Sequence, residues 1–201
     1  MKTLQAQPIT AGNFAPYGWL ACADGRAGRR VNDGSSLRVD DVGQLNLNAA
    51  GGAPCLAVFR ARARDPRGPW QVLERHRLGT QTFVPLGGAS FVVLVATGDA
   101  APDVHTLAAF VVAGHQAVTL RAGTWHHGLI ALQDGDFIVV ERQATEPDCD
   151  LATLPEAVTL TLPPQCVQAA LPTGEHCDPT RSVSDISAHA GPIPHRVGPK
   201  K

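Results

Sequence analysis

Charge of one sign is the first thing the sequence lacks: 17 Lys and Arg stand against 18 Asp and Glu in 201 residues. Nucleic acid and anionic membrane are not held well without a basic surplus, so neither is expected as a partner. No uninterrupted apolar stretch approaches the roughly 18 residues that a membrane-spanning helix needs. The opening stretch, MKTLQAQPITAGNF, has no apolar core of the kind a secretory signal carries. Paired cysteines are also missing. Cys22, Cys55, Cys149, Cys166 and Cys177 are scattered, odd in number and without a C-x-x-C pair, which points to reduced thiols in a cytoplasmic protein. Room for long helices is short too, because 20 glycines and 16 prolines punctuate the chain. No repeat of fixed period is present.

What remains is strand. From CLAVFRARA (55–63) onward the chain alternates short β-rich runs with turns: WQVLERHRL (70–78), TQTFVPL (80–86), SFVVLVATG (90–98), LAAFVVAG (107–114), QAVTLRAG (116–123), HGLIAL (127–132) and DFIVVER (136–142). Runs at this spacing predict an all-β fold, an antiparallel sandwich or barrel. Helix is expected only around 10–18 and near EPDCDLATLPE, and ADGRAGRRVNDGSS (23–36) reads as a loop. Residues 163–201 hold seven prolines and little apolar pattern, so the chain divides into a domain over 1–160 and an extension over 161–201, wrapping or disordered.

Some polar residues do not suit a plain strand. Alternation puts Glu74 and His76 on one face of the run at 70–78, and Gln81 and Phe83 on one face of the next. Neither face of the first run is cleanly apolar. An edge strand with a solvated face explains that pattern, and so does a barrel whose interior is polar at one end because it holds a ligand. His126 and His127 are adjacent at the head of a strand, so only one can face a cavity. Taken singly, either is an ordinary hydrogen-bonded turn histidine, and His105 and His115 read as residues of polar loops.

Taken together, the two regions say more. E-x-H-x4-Q followed by G-x-x-H resembles the two-motif pattern of cupins, with Glu74 in place of the first His, His76 as the second, Gln81 in place of the Glu, and His126 after Gly123. This resemblance implies a cupin-like antiparallel β-barrel of the jelly-roll type with His126 turned inward and His127 outward. Glutamate is a competent metal ligand and neutral glutamine a weaker one, so a divalent ion (Ni, Mn, Fe or Zn) on Glu74, His76, Gln81 and His126 is expected to bind with moderate affinity.

LERHRLGTQTFVPLGG, FVVLVATGDAAPD, LAAFVVAGHQAV, GTWHHGL and DFIVVER resemble the ureidoglycolate lyase family, as do FAPYG and VNDG nearer the start. The resemblance runs from about residue 10 to 155. It implies a cupin-like homodimer that splits ureidoglycolate into glyoxylate and urea in allantoin degradation, without a nucleotide cofactor. Cleaving that carbinolamide needs a base for the hydroxyl proton and an acid for the departing nitrogen. On this reading Glu74, His76 and His126 are catalytic, and Gln81, Phe83, Trp125, Arg60 and Arg142 meet the substrate, an arginine taking its carboxylate. A binding module without activity and an amidohydrolase releasing ammonia are the competing readings.

Overall fold

Alternating β-branched and aromatic runs become strands almost throughout the computed structural model, which describes residues 1–146 and 148–164. All but the first few residues of the expected extension lie outside the described residues. In chain order the first strands are β1 (Lys2–Gln5), β2 (Gln7–Pro8), β3 (Gly18–Ala21), β4 (Arg29–Val31) and β5 (Ser36–Arg38). There follow β6 (Ala53–Ala61), β7 (Trp70–His76), β8 (Gln81–Pro85), β9 (Gly88–Ala96) and β10 (Ala108–Gly114). The last are β11 (Ala117–Leu120), β12 (Trp125–His126), β13 (Ile130–Ala131), β14 (Gly135–Gln143) and β15 (Cys149–Thr161).

These form two main sheets. The first runs β1-β15-β7-β12-β9-β10-β2, with β13 also on β9, and the second runs β3-β11-β8-β14-β6. One N-terminal segment joins both edges of the first sheet: β1 lies parallel to β15 with Lys2 beside Val158, and β2 lies parallel to β10 with Gln7 beside Phe110. The result is the barrel-like all-β fold expected from the sequence.

Strand β9 explains how the layers are filled. Its odd residues Phe91, Val93 and Val95 face the space between the sheets, where they meet Phe83, Val118, Phe137 and Val139. Its even residues Val92, Leu94 and Ala96 face a second core with Leu73, Trp125 and Val158. A strand buried on both faces has no polar alternation, hence the unbroken SFVVLVA. Each such buried side chain contributes about 1.5–3 kcal/mol, so β9 is a main source of rigidity.

Three local expectations are corrected. The described residues of EPDCDLATLPE are not helical, and most of them lie in β15, whose Cys149–Thr153 portion pairs antiparallel with β7. Its Ala, Leu and Glu favour helix locally, but covering the open edge of β7 prevails. The 23–36 loop contains the β4–β5 hairpin, turned at Asn32 and Asp33, whose φ angles are 53° and 54°. The N-terminal helix α1 (Ala11–Phe14) is a single turn capped by Thr10, and it stops because Gly18 must lie against the backbone of Thr119 as β3 begins. The HGLIAL run also breaks, with β12 ending at His126 and β13 starting at Ile130.

Candidate active site

The turn before the paired histidines sets their directions. Gly123 has φ of +85°, a backbone conformation that side-chain-bearing residues rarely adopt, and its N–H donates to His76 O at 2.7 Å. Thr124 donates through Oγ1 to Tyr17 O at 2.8 Å. The chain then enters β12 between β7 and β9, with His126 opposite Glu74 on one side and Val95 on the other. Alternation does the rest. Trp125 joins the second core, and the His127 ring stands edge-on to Trp70 at 4.7 Å, while His126 turns into the space between the sheets and is 2% exposed. The inward and outward assignment of the two histidines therefore holds.

Gln81 on β8 faces the same space, and so does Glu141, its register neighbour on β14. Gln81 Nε2 donates to a Glu141 carboxylate oxygen at 2.8 Å, which turns Gln81 Oε1 toward His126 Nε2 at 3.1 Å. The other imidazole nitrogen of His126, Nδ1, lies 3.0 Å from Thr124 O, an acceptor, and so carries a hydrogen. Glu74 Oε1 is 3.5 Å from His126 Nε2. That nitrogen therefore faces two oxygen atoms, an arrangement that a metal ion held between them would satisfy.

His76 completes the group. Its ring lies 5.6 Å from that of His126, and its buried Nε2 has no hydrogen-bond partner among the described residues. Its Nδ1 is 3.8 Å from Asp148 Oδ1. Burial, aided by the neighbouring His126, pushes His76 below the ordinary imidazole range, so it is neutral at pH 7 and able to offer a lone pair. Interaction with His126 holds the Glu74 carboxyl below its ordinary range against the opposing effect of burial. Donor atoms of Glu74, His76 and His126 all lie within 4.8 Å of one another. Two imidazoles and one carboxylate suit a first-row divalent ion, and the orphaned His76 nitrogen fits that use.

The other residues singled out in the sequence divide. Phe83 faces the same interior two residues beyond Gln81, buried against Phe91 and Phe59, and forms an apolar wall. Trp125 lies on the opposite face from His126, beneath the Arg75 guanidinium at 4.6 Å from its ring centroid. Arg60 is on the surface, paired with Asp136 at 3.0 Å. It sits level with Asp136, five residues along β14 from Glu141, which is about 16 Å at strand rise. Arg142 is close to the group but committed: Nε donates to Ala49 O at 2.8 Å, Nη2 to Ala50 O at 3.3 Å, and Nη1 lies 3.6 Å from Asp148.

Glu141, Asp148 and Cys149 were missed. Glu141 was legible, because F-x-V-x-E at 137–141 places it on the same face as two core residues. Asp148 stands just before β15 and gives no periodic signal, and Cys149 Sγ is 4.0 Å from Glu74 Oε2. Glu74, Glu141 and Asp148 make the cluster acidic, and Arg142 beside it is already engaged.

Comparison with known proteins shows which family the chain resembles. The family profile described as Ureidoglycolate lyase matches residues 1–161. A ureidoglycolate lyase of Burkholderia mallei (strain NCTC 10229) is 39% identical over 163 residues, covering 80% of this chain and 95% of the relative. One from Burkholderia cepacia is 34% identical over 169 residues, 83% and 94% of the two chains. One from Pseudomonas fluorescens (strain SBW25) is 34% identical over 165 residues, 82% and 99%.

Proposed function

The chain belongs to the ureidoglycolate lyase family, and from that premise we propose that it cleaves ureidoglycolate to glyoxylate and urea at the cavity of Glu74, His76, Gln81 and His126. It is a carbon–nitrogen lyase, and its catalytic unit is residues 1–160. The observation that carries the site assignment is His126 Nε2, which faces Gln81 Oε1 and Glu74 Oε1 together while the bare His76 nitrogen lies beside them.

In the substrate, one carbon bears a hydroxyl, a carboxylate and a ureido nitrogen. Glu74, ionised at pH 7, accepts the hydroxyl proton as the C–O bond becomes a carbonyl and the C–N electron pair leaves with nitrogen. Both groups sit on one carbon, so the same carboxyl then delivers that proton to the departing urea nitrogen. Protons and electrons balance, and no water is consumed. Gln81, held by Glu141, orients the reacting group through its amide oxygen and keeps His126 in place. Phe83 supplies the dry wall that strengthens these polar contacts.

Glu74, His76 and His126 would hold a divalent ion. When bound, such an ion would polarise the hydroxyl and offset the charge of an anionic substrate in an acidic cavity. Gln81, through the oxygen it turns toward His126, would be at most a weak fourth ligand. The exposed Leu56 and Val58 on edge strand β6, 70% and 59% accessible, support a homodimer. Three unpaired cysteines among the described residues support cytoplasmic residence. No helix among the described residues is long and apolar enough to cross a membrane.

The deciding experiment incubates the purified chain with ureidoglycolate and measures glyoxylate, urea and ammonia, before and after chelation. Urea equimolar with glyoxylate is expected, with activity lost on chelation and restored by a divalent ion. Ammonia in place of urea would make it an amidohydrolase, and no turnover at all would make it a binding module.

A further inference from the structure

We propose a second metal site, for a zinc-class divalent ion, on Cys22, Asp24 and His115 at the end of the molecule remote from the lyase cavity. Donor atoms of these three residues lie within 4.8 Å of one another, and they include a sulfur, a carboxylate oxygen and an imidazole nitrogen. His115 Nε2 is 3.2 Å from Asp24 Oδ2. The Asp24 backbone N–H points at Cys22 Sγ from 3.4 Å, which orients the sulfur.

The fold brings the three together for reasons unrelated to the lyase reaction. Cys22 and Asp24 follow β3, and His115 sits in the turn between β10 and β11. β3 pairs with β11, Ala21 opposite Ala117, so the register delivers the C-x-D segment to the His115 turn. That turn is braced. Gln116 N–H donates to Ala113 O at 2.9 Å, Gln116 Oε1 accepts from Ala113 N–H at 3.0 Å, and Gly114 lies against the backbone of Gly88. The Cys22 side chain is partly buried against the inter-sheet core, so the sulfur is presented from a fixed base, while Asp24 and His115 are exposed and open to an arriving ion.

A surface His–Asp pair contributes little by itself and gives no reason for a thiol beside it. Sulfur with imidazole selects zinc or cobalt over magnesium or calcium, which prefer all-oxygen donors. Three protein ligands leave one tetrahedral position for water. Binding transfers the thiol proton to solvent, giving a Cys–S–metal bond and one released proton. The site is separate from the lyase cavity. Leu120 is the β11 partner of Gln81 and lies five residues beyond His115, about 16 Å at strand rise. Occupancy would tie the β3–β4 connection to the β10–β11 turn.

The test titrates the chelator-stripped full chain with Co²⁺ and follows the thiolate-to-cobalt charge-transfer band in the near ultraviolet. We expect cobalt, added until both this site and the Glu74 site are filled, to raise this band and Zn²⁺ to remove it. The band should disappear in Cys22→Ser and in His115→Ala and persist in Cys149→Ser, the control for the thiol beside Glu74. Turnover of ureidoglycolate by Cys22→Ser should equal that of the parent, so failure of this site and failure of the lyase reading are read separately. Absence of the band, its persistence in Cys22→Ser, or its loss in Cys149→Ser alone overturns the proposal.

Discussion

At one end of the space between the sheets, β8, β9 and β14 contribute Phe83, Phe91 and Phe137; at the other, β7, β8, β12 and β14 contribute Glu74, His76, Gln81, His126 and Glu141. Strands β8 and β14 supply both ends. On β8 only Thr82 separates Gln81 from Phe83, and on β14 only Val139 stands between Glu141 and Phe137 on the inward face. At the aromatic end rings meet edge to face, as Phe91 and Phe137 do at 5.4 Å, and every contact adds to stability. At the polar end carboxylates are crowded together and one imidazole nitrogen has no partner among the described residues, which costs stability. The aromatic end holds the strands rigid enough for that polar end to persist, and rigidity at one end is what allows chemistry at the other.

The sharpest way to break this comparison is to remove one residue from each end. His126→Ala should lower turnover by about 10³-fold or more while the fold is retained. Steady-state kinetics beside a thermal melt would check it, and a collapse of the melt instead would put His126 among the structural residues. Phe91→Ala should do the reverse, costing about 3–5 kcal/mol of stability in urea denaturation, with the folded fraction still turning over.

Smaller effects sharpen the boundary. Gln81→Leu removes the link between Glu141 and His126 without touching the metal-competent trio. It should cost about 10- to 100-fold in turnover or in metal affinity, measured by kinetics with added divalent ion. His127→Ala should be mildest. Losing the edge-on contact with Trp70 should lower stability by about 1 kcal/mol, with turnover staying within about twofold.

Alternation made much of this legible before any coordinates. It put Glu74 beside His76, set Gln81 on the face of Phe83, and required His126 and His127 to part. The same rule required Trp125 to face away from His126, although the family resemblance had suggested it as a substrate contact. Arg60 could not be located because its position depends on the register of β6 against β14, a pairing between segments more than 70 residues apart. The strand at 149–161 was hidden for a related reason. Its local composition favours helix, and only the open edge of β7, remote in sequence, favours strand. Asp148 lies outside any periodic run, so nothing short of the folded chain brings it to His76.

The N-terminal segment that joins both edges of the first sheet has a consequence for biosynthesis. Thr3 and Thr159, 156 residues apart, share a hydrogen bond across β1 and β15. The first strand made is thus completed by the last. At a translation rate of about 5–20 residues per second, residues 2–5 wait on the order of ten seconds after leaving the ribosome before their partner β15 is available. In that interval β1 and the edge of β7 that β15 will cover stand open to pairing with other chains. Contacts so distant in sequence also slow folding after release. A nascent chain stalled before residue 149 should therefore bind chaperones and resist burying its first five residues, which pulse-labelled proteolysis of stalled ribosome complexes would register.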